Sequence, residues 1–304
     1  MEQPVISRRA IIATPLAIGA ARTVSGAPAK MTLALHQNTS SAAGYRQSLD
    51  GWARAGIRDV ELIAPLVDEF LATESLAAAR RVLTDLGLTP VSGNCGMLQG
   101  VWEPNANRAA SVDSFKRRCE MYSALGVPRI YTTTATTQKF TLDDYKTGAD
   151  NMREAGEIAR QFHLTAMVEF VRNSSFISTL PTLLKMTRAA AHPNLRAMLD
   201  CYHFWSGLNK LEDLDDLRMD EIEHVHFQDV PDIQRELLDY TTRVVPGDGV
   251  SPLTTILRKL AGKGYAGALS VEVFVPKFQK GDAFEAAREI RPKAEAVMRE
   301  AGVM

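Results

Sequence analysis

Eight short apolar runs, most of them followed by a longer amphipathic stretch, set the strongest limit on how this chain can fold. The runs are TLALH (32–36), DVELI (59–63), TPVSGN (89–94), RIYTTT (129–134), TAMVEF (165–170), LRAMLD (195–200), EHVHFQ (223–228) and ALSVEVF (268–274). Their lengths suit strands buried on both faces. In SVDSFKRRCEMYSALG (111–126) and SPLTTILRKLAGKG (251–264) apolar residues recur three and four apart, the spacing of a helix with one buried face. Eight such units in about 270 residues predict an α/β fold, a closed (β/α)8 TIM barrel, because a doubly wound sheet more often has five or six strands and a Gly-rich first turn. Neither GxGxxG nor a P-loop sequence is present. With 45% hydrophobic residues and no Pro- or Ser-rich linker, residues 31–304 read as one catalytic domain.

Residues 1–30 differ in character. SRRAIIATPLAIGAARTVSGAPAK (7–30) has paired Arg8 and Arg9, an apolar run over 11–21, and Ala27-Pro28-Ala29, which suits signal peptidase. This predicts a twin-arginine-type export signal and a periplasmic protein, with a cytoplasmic protein as the alternative. The run is too short to remain as an anchor, and no later segment offers about 20 apolar residues, so no membrane association is expected after signal removal. Cys95, Cys119 and Cys201 form no CxxC and no even disulfide set, and read as buried thiols. The 35 Lys and Arg against 36 Asp and Glu leave a net charge of −1, which gives no pull toward nucleic acid. A small neutral or polar ligand fits such a chain, and a homo-oligomer is compatible with it.

A barrel of this kind takes its catalytic groups from the C-terminal ends of its strands. Glu169, Asp200, His226 and Glu272 all stand near such ends. Singly, each has a plainer reading: a carboxylate there is often a helix N-cap or an ion-pair partner, and a histidine a hydrogen-bonded core residue. Together, three carboxylates and an imidazole at one barrel mouth would repel without a cation. The mixed oxygen and nitrogen set predicts one divalent ion, Mn²⁺, Mg²⁺, Co²⁺ or Zn²⁺. Glu61 is similarly placed, as a substrate contact or one layer behind. His36, His163, His192 and His224 form no HExxH pair.

VEF, LDxxHFW (Asp200 to Trp205, with Leu199), HVHFQDV, RVVPGDG and SVEVF occur in an order and spacing that resemble the xylose-isomerase-like sugar isomerase and epimerase barrels. From Glu169 through RVVPGDGVSPL to SVEVFVP the resemblance is greatest to the inosose (2-keto-myo-inositol) isomerases. One position departs from them: Val275 precedes Pro276 where those proteins tend to carry an arginine. The resemblance implies Glu169, Asp200, His226 and Glu272 as metal ligands, and His203 and Arg243 as substrate contacts. It implies a keto-sugar or ketocyclitol held by its carbonyl and neighbouring hydroxyl, with charge neutralised as an enediolate develops. Glu169 and Glu272 would then exchange protons with the substrate. Trp205, Phe204, Trp102 and Phe274 are candidates for the apolar walls against which a sugar ring stacks. An enediolate with a leaving group one carbon on can also expel it, so a 3-keto-glycoside eliminase is the alternative, and export favours it. An abasic-site endonuclease would want more metal ligands and a basic groove. A noncatalytic sugar-binding protein would not need the complete ligand set.

Overall fold

The computed structural model describes residues 30–304, so the segment read as an export signal lies outside the described residues. Eight parallel strands close into a barrel in sequence order: β1 (Thr32–His36), β2 (Asp59–Ile63), β3 (Thr89–Asn94), β4 (Arg129–Thr133), β5 (Thr165–Glu169), β6 (Leu195–Asp200), β7 (Ile222–His226) and β8 (Ala268–Val271). The ring closes where β1 runs beside β8, from Thr32 opposite Ala268 to Leu35 opposite Val271. Helices α1 (Gly44–Arg54), α2 (Ala64–Leu71), α3 (Leu76–Asp85), α4 (Arg108–Ala124), α5 (Leu142–Gln161), α6 (Leu180–Ala190), α8 (Leu253–Gly262) and α10 (Ala283–Ala301) lie between and after the strands. Short helices α7 (Cys201–Ser206) and α9 (Pro276–Gln279) follow the sixth and eighth strands directly. The three cysteines are buried and free. Among the described residues no helix is long and apolar enough to cross a membrane.

Every expected strand is present, but β8 ends three residues early, at Val271. The reason is Thr39, whose hydroxyl donates to the Val271 carbonyl at 3.0 Å and accepts from the Val273 amide at 3.3 Å. One side chain takes the backbone groups that a continuing ladder would use, and the chain turns away. Glu272 therefore sits one residue beyond the strand.

The PGDG turn is built on Asp229. Its Oδ1 accepts from the amides of Val230 and Ser251, both at 2.8 Å, and its Oδ2 from those of Gly247 and Gly249, both at 3.1 Å. Gly247 has φ +90°, and a Cβ on Gly249 would come within 2.6 Å of Asp229 Oδ1, so both positions need glycine. Asp229 and Val244 also exchange backbone hydrogen bonds at 2.9 and 3.1 Å, which fixes the residue next to Arg243. Asp229→Ala would strand the amide donors of Gly247, Gly249 and Ser251 around a side chain that is 2% exposed, while Val230 keeps Ser251 Oγ at 3.2 Å. It is expected to cost about 3 kcal/mol, seen as a fall in melting temperature of roughly 5–10 °C. A shift under about 2 °C would mean that water satisfies these donors and the clamp contributes little.

Candidate active site

Asp200, His226 and Glu169 are the last residues of β6, β7 and β5, and Glu272 follows β8, so four strand ends deliver them to one barrel mouth. One ligand atom from each lies within 4.8 Å of the others, and all four residues are buried. His226 Nδ1 faces Glu169 Oε1 at 3.1 Å, Glu272 Oε2 at 3.3 Å and Asp200 Oδ2 at 3.4 Å. Its Nε2 faces Glu61, 3.3 Å away. Carboxylate on one side and ligand cluster on the other is the arrangement that holds a metal-binding imidazole in one tautomer.

Asp200 satisfies both the plain and the functional reading because it uses its oxygens separately. Oδ1 caps α7 by accepting the His203 amide at 2.6 Å. Oδ2 points into the cluster, where Gln228 Nε2 donates to it at 2.6 Å and Arg243 Nη1 lies at 3.2 Å. Arg243, 3% exposed, also pairs with Glu272, and its guanidinium sits 5.3 Å from the ring centres of both Tyr202 and Phe274. Such a sandwich orients the guanidinium as well as burying it.

The environments push the carboxyls apart. Burial raises Glu169 to about 7, opposed by His226. Burial acts the same way on Glu272, but the Arg243 guanidinium paired with it outweighs this and holds that carboxyl at about 2. Asp200, buried beside the Arg243 guanidinium, is held well below the usual carboxylate range. Burial lowers His203 to about 4, so it is neutral. A divalent cation at these oxygens would reverse the effect of burial on Glu169. The donor set fits such an ion: three carboxylates and an imidazole nitrogen converge, and Gln228 Oε1, Arg243 Nε and His203 Nδ1 are buried around them without a partner.

Above the cluster opens a cavity of about 530 Å³, lined among others by Glu169, Glu272, His203, Arg243, Tyr131 and Phe274. Two residues expected at the substrate are elsewhere. Trp205 borders a separate surface depression with Asn209 and Arg235, because at 100° per residue it lies on the side of α7 away from His203. Glu61 lies beneath the cluster, fully buried, with Oε2 2.9 Å from His224 Nε2. Trp102 and Phe204 are also fully buried: Trp102 donates its indole N–H to the Thr132 carbonyl at 2.9 Å and packs on Phe115. Of the four aromatics expected as walls, only Phe274 lines the cavity.

The HExxH template passed over His36 and His224, yet both touch this network. His36 Nε2 lies 3.5 Å from Glu272 Oε1, and His224 pairs with Glu61. The usable signal was HVH: residues two apart in a strand share a face, so if His226 points into the barrel His224 does too. Asn38, whose amide donates to Glu272 Oε1 at 2.9 Å, and Tyr131 had no sequence signal of their own.

A family model described as xylose isomerase-like TIM barrel matches residues 49–299. The chain belongs to this family. The inosose isomerase of Halalkalibacterium halodurans is 29% identical over 180 residues, 58% of this chain and 64% of that protein. The match thus spans a little under two thirds of that relative's length. The 3-dehydroshikimate dehydratase of Pseudomonas putida is 25% identical over 240 residues, 77% of this chain and 36% of that one. A crystal structure of the IOLI protein with a binding zinc atom superposes with a TM-score of 0.83 at 22% identity, covering 90% of this chain and 100% of that one. An L-ribulose 3-epimerase superposes with a TM-score of 0.73 at 17% identity, covering 89% and 95%. At these identities the superpositions speak for the shared xylose isomerase-like fold.

Proposed function

We propose that the protein is a divalent-metal-dependent isomerase or epimerase of a keto-sugar or ketocyclitol. The observation that carries this reading is the convergence of Glu169, Asp200, His226 and Glu272 beneath an open cavity, with both glutamates among its lining residues. The inosose isomerase relative and the zinc atom in the IOLI structure support it. When bound, the ion supplies positive charge to the substrate's carbonyl and hydroxyl oxygens as electrons move onto them. Glu169 takes the proton from the carbon beside the carbonyl, and Glu272, ionised at rest, is placed to return one that it has first taken up from solvent. His203 and Arg243 orient the hydroxyls.

A second reading, elimination from a 3-keto-glycoside, shares the first proton transfer. The dehydratase relative supports it, as does the export signal read in residues 1–30. A screen of oxidised sugars and glycosides in D₂O tests both. Deuterium is expected on the carbon next to the carbonyl, with a product of unchanged skeleton from an isomerase and an unsaturated ketone plus a released group from an eliminase. Turnover without deuterium would point to a hydride shift and remove the base roles of the two glutamates.

A further inference from the structure

We propose that Tyr131 is a further catalytic residue: its phenolic O–H donates a hydrogen bond to an oxygen of the bound keto substrate, and His36 is the positioning residue that aims it. This rests on the reading above and adds to it a neutral donor for the oxygen on which negative charge develops.

Counting donors gives the hydroxyl its direction. His36 Nδ1 accepts the backbone amide of Asn38 at 3.1 Å, a donor that cannot reverse. An amide donating there leaves Nδ1 without a hydrogen, and an imidazole with one accepting nitrogen carries its hydrogen on the other. That nitrogen, Nε2, is 3.0 Å from the Tyr131 hydroxyl oxygen. The phenol is therefore the acceptor in this contact. Asn94 lies near the phenol and favours its ionised form, as a neighbouring N–H donor does. Among the described residues the Tyr131 hydroxyl has no hydrogen-bond partner besides His36 Nε2, which donates to it, so the phenolic hydrogen is left over.

The cavity is where that hydrogen finds a partner. Tyr131 is 1% exposed and is one of the cavity's lining residues, with Glu169 and Glu272. Its ring stands edge-on to His226, with ring centres 5.3 Å apart and planes at 83°, and packs with Met167 and Met198. A phenol keeps its hydrogen at neutral pH, so Tyr131 is a donor. A Phe would fill the same space against the two methionines and leave the His36 Nε2–H to Glu272 Oε1, 3.5 Å away; what it would remove from the cavity is the phenolic donor. A fixed donor in a water-poor site stabilises an oxyanion more than the ground-state carbonyl.

The test compares wild type, Tyr131→Phe, His36→Leu and His36→Gln, each loaded with Zn²⁺, on the keto compound that wild type turns over fastest. Tyr131→Phe is expected to lower kcat and the rate of deuterium uptake by about 100-fold, the effect of losing one oxyanion donor. KM, zinc content and melting temperature are expected to stay close to wild type. His36→Leu should reproduce most of that loss with Tyr131 intact, and His36→Gln, which keeps a side-chain N–H, should recover part of it. Independently of activity, ¹⁵N-histidine spectra should show His36 as the Nε2–H tautomer. Tyr131→Phe within about threefold of wild type, or His36 as the Nδ1–H tautomer, overturns this proposal alone. Wild-type protein inert toward every keto compound overturns the underlying reading and this one with it.

Discussion

An Asp200→Asn, His226→Ala double variant is expected to lose its divalent ion and with it on the order of 1,000-fold in turnover. Asparagine at 200 is chosen because it still caps α7, as the aspartate does through Oδ1, so loss of the helix cannot account for the result. The variant removes the imidazole nitrogen and one of three carboxylate charges from a cluster whose ligand atoms all lie within 4.8 Å of one another. The variant also takes one carboxylate from buried Arg243 and one imidazole from buried Glu61, so it is expected to melt somewhat below the metal-free parent, while activity falls far more than the folded fraction does. Elemental analysis after gel filtration and a substrate assay with and without added metal decide it. A wild-type level of bound metal in the variant would remove the ligand assignment, and full activity in a metal-free parent would remove the mechanism.

Glu169→Gln and Glu272→Gln are each expected to cut turnover by about 100-fold, the usual contribution of a positioned general base. Glutamine keeps the size and one ligating oxygen, so metal content should fall less than activity. The two positions differ in what else they hold. Glu272 accepts from Asn38 and pairs with Arg243 and His36, whereas Glu169 has His226 as its hydrogen-bond partner. Glu272→Gln should therefore also lower the melting temperature, by leaving the buried Arg243 with one carboxylate fewer. Deuterium uptake separates one base from two. If each glutamate serves one face of the substrate, each variant keeps exchange at one face only; if one carboxylate does both, its variant loses exchange and the other retains it.

The barrel was legible in the sequence because period and length are local properties. Four of the eight strands, β1, β2, β3 and β6, have the bounds that their apolar runs suggest. Strand-end chemistry was legible for a similar reason: an acid or a histidine closing an apolar strand, as in LRAMLD, is conspicuous without any partner in view. Where β8 stops was not, since Thr39, 232 residues away, takes the Val271 carbonyl.

Side-chain direction decided the rest. The spacing His203-x-Trp205 is compatible with two residues on one surface if the segment is extended, and with two opposite surfaces if it is helical. Asp200 capped a helix there, and the tryptophan left the cavity. Glu61 has the same standing in the sequence as Glu169, yet it lies one layer lower, where His224 and His226 meet its two oxygens. The His36–Tyr131 contact joins residues 95 apart on strands β1 and β4. Sequence alone determined the alternation of strand and helix, and with it the set of ionisable groups at one rim, because periodicity is encoded in neighbours. Which of those groups face one another, which stand behind, and which way each imidazole and hydroxyl points were decided only by closure of the barrel, which brings distant strands within hydrogen-bonding distance and makes every buried donor find an acceptor.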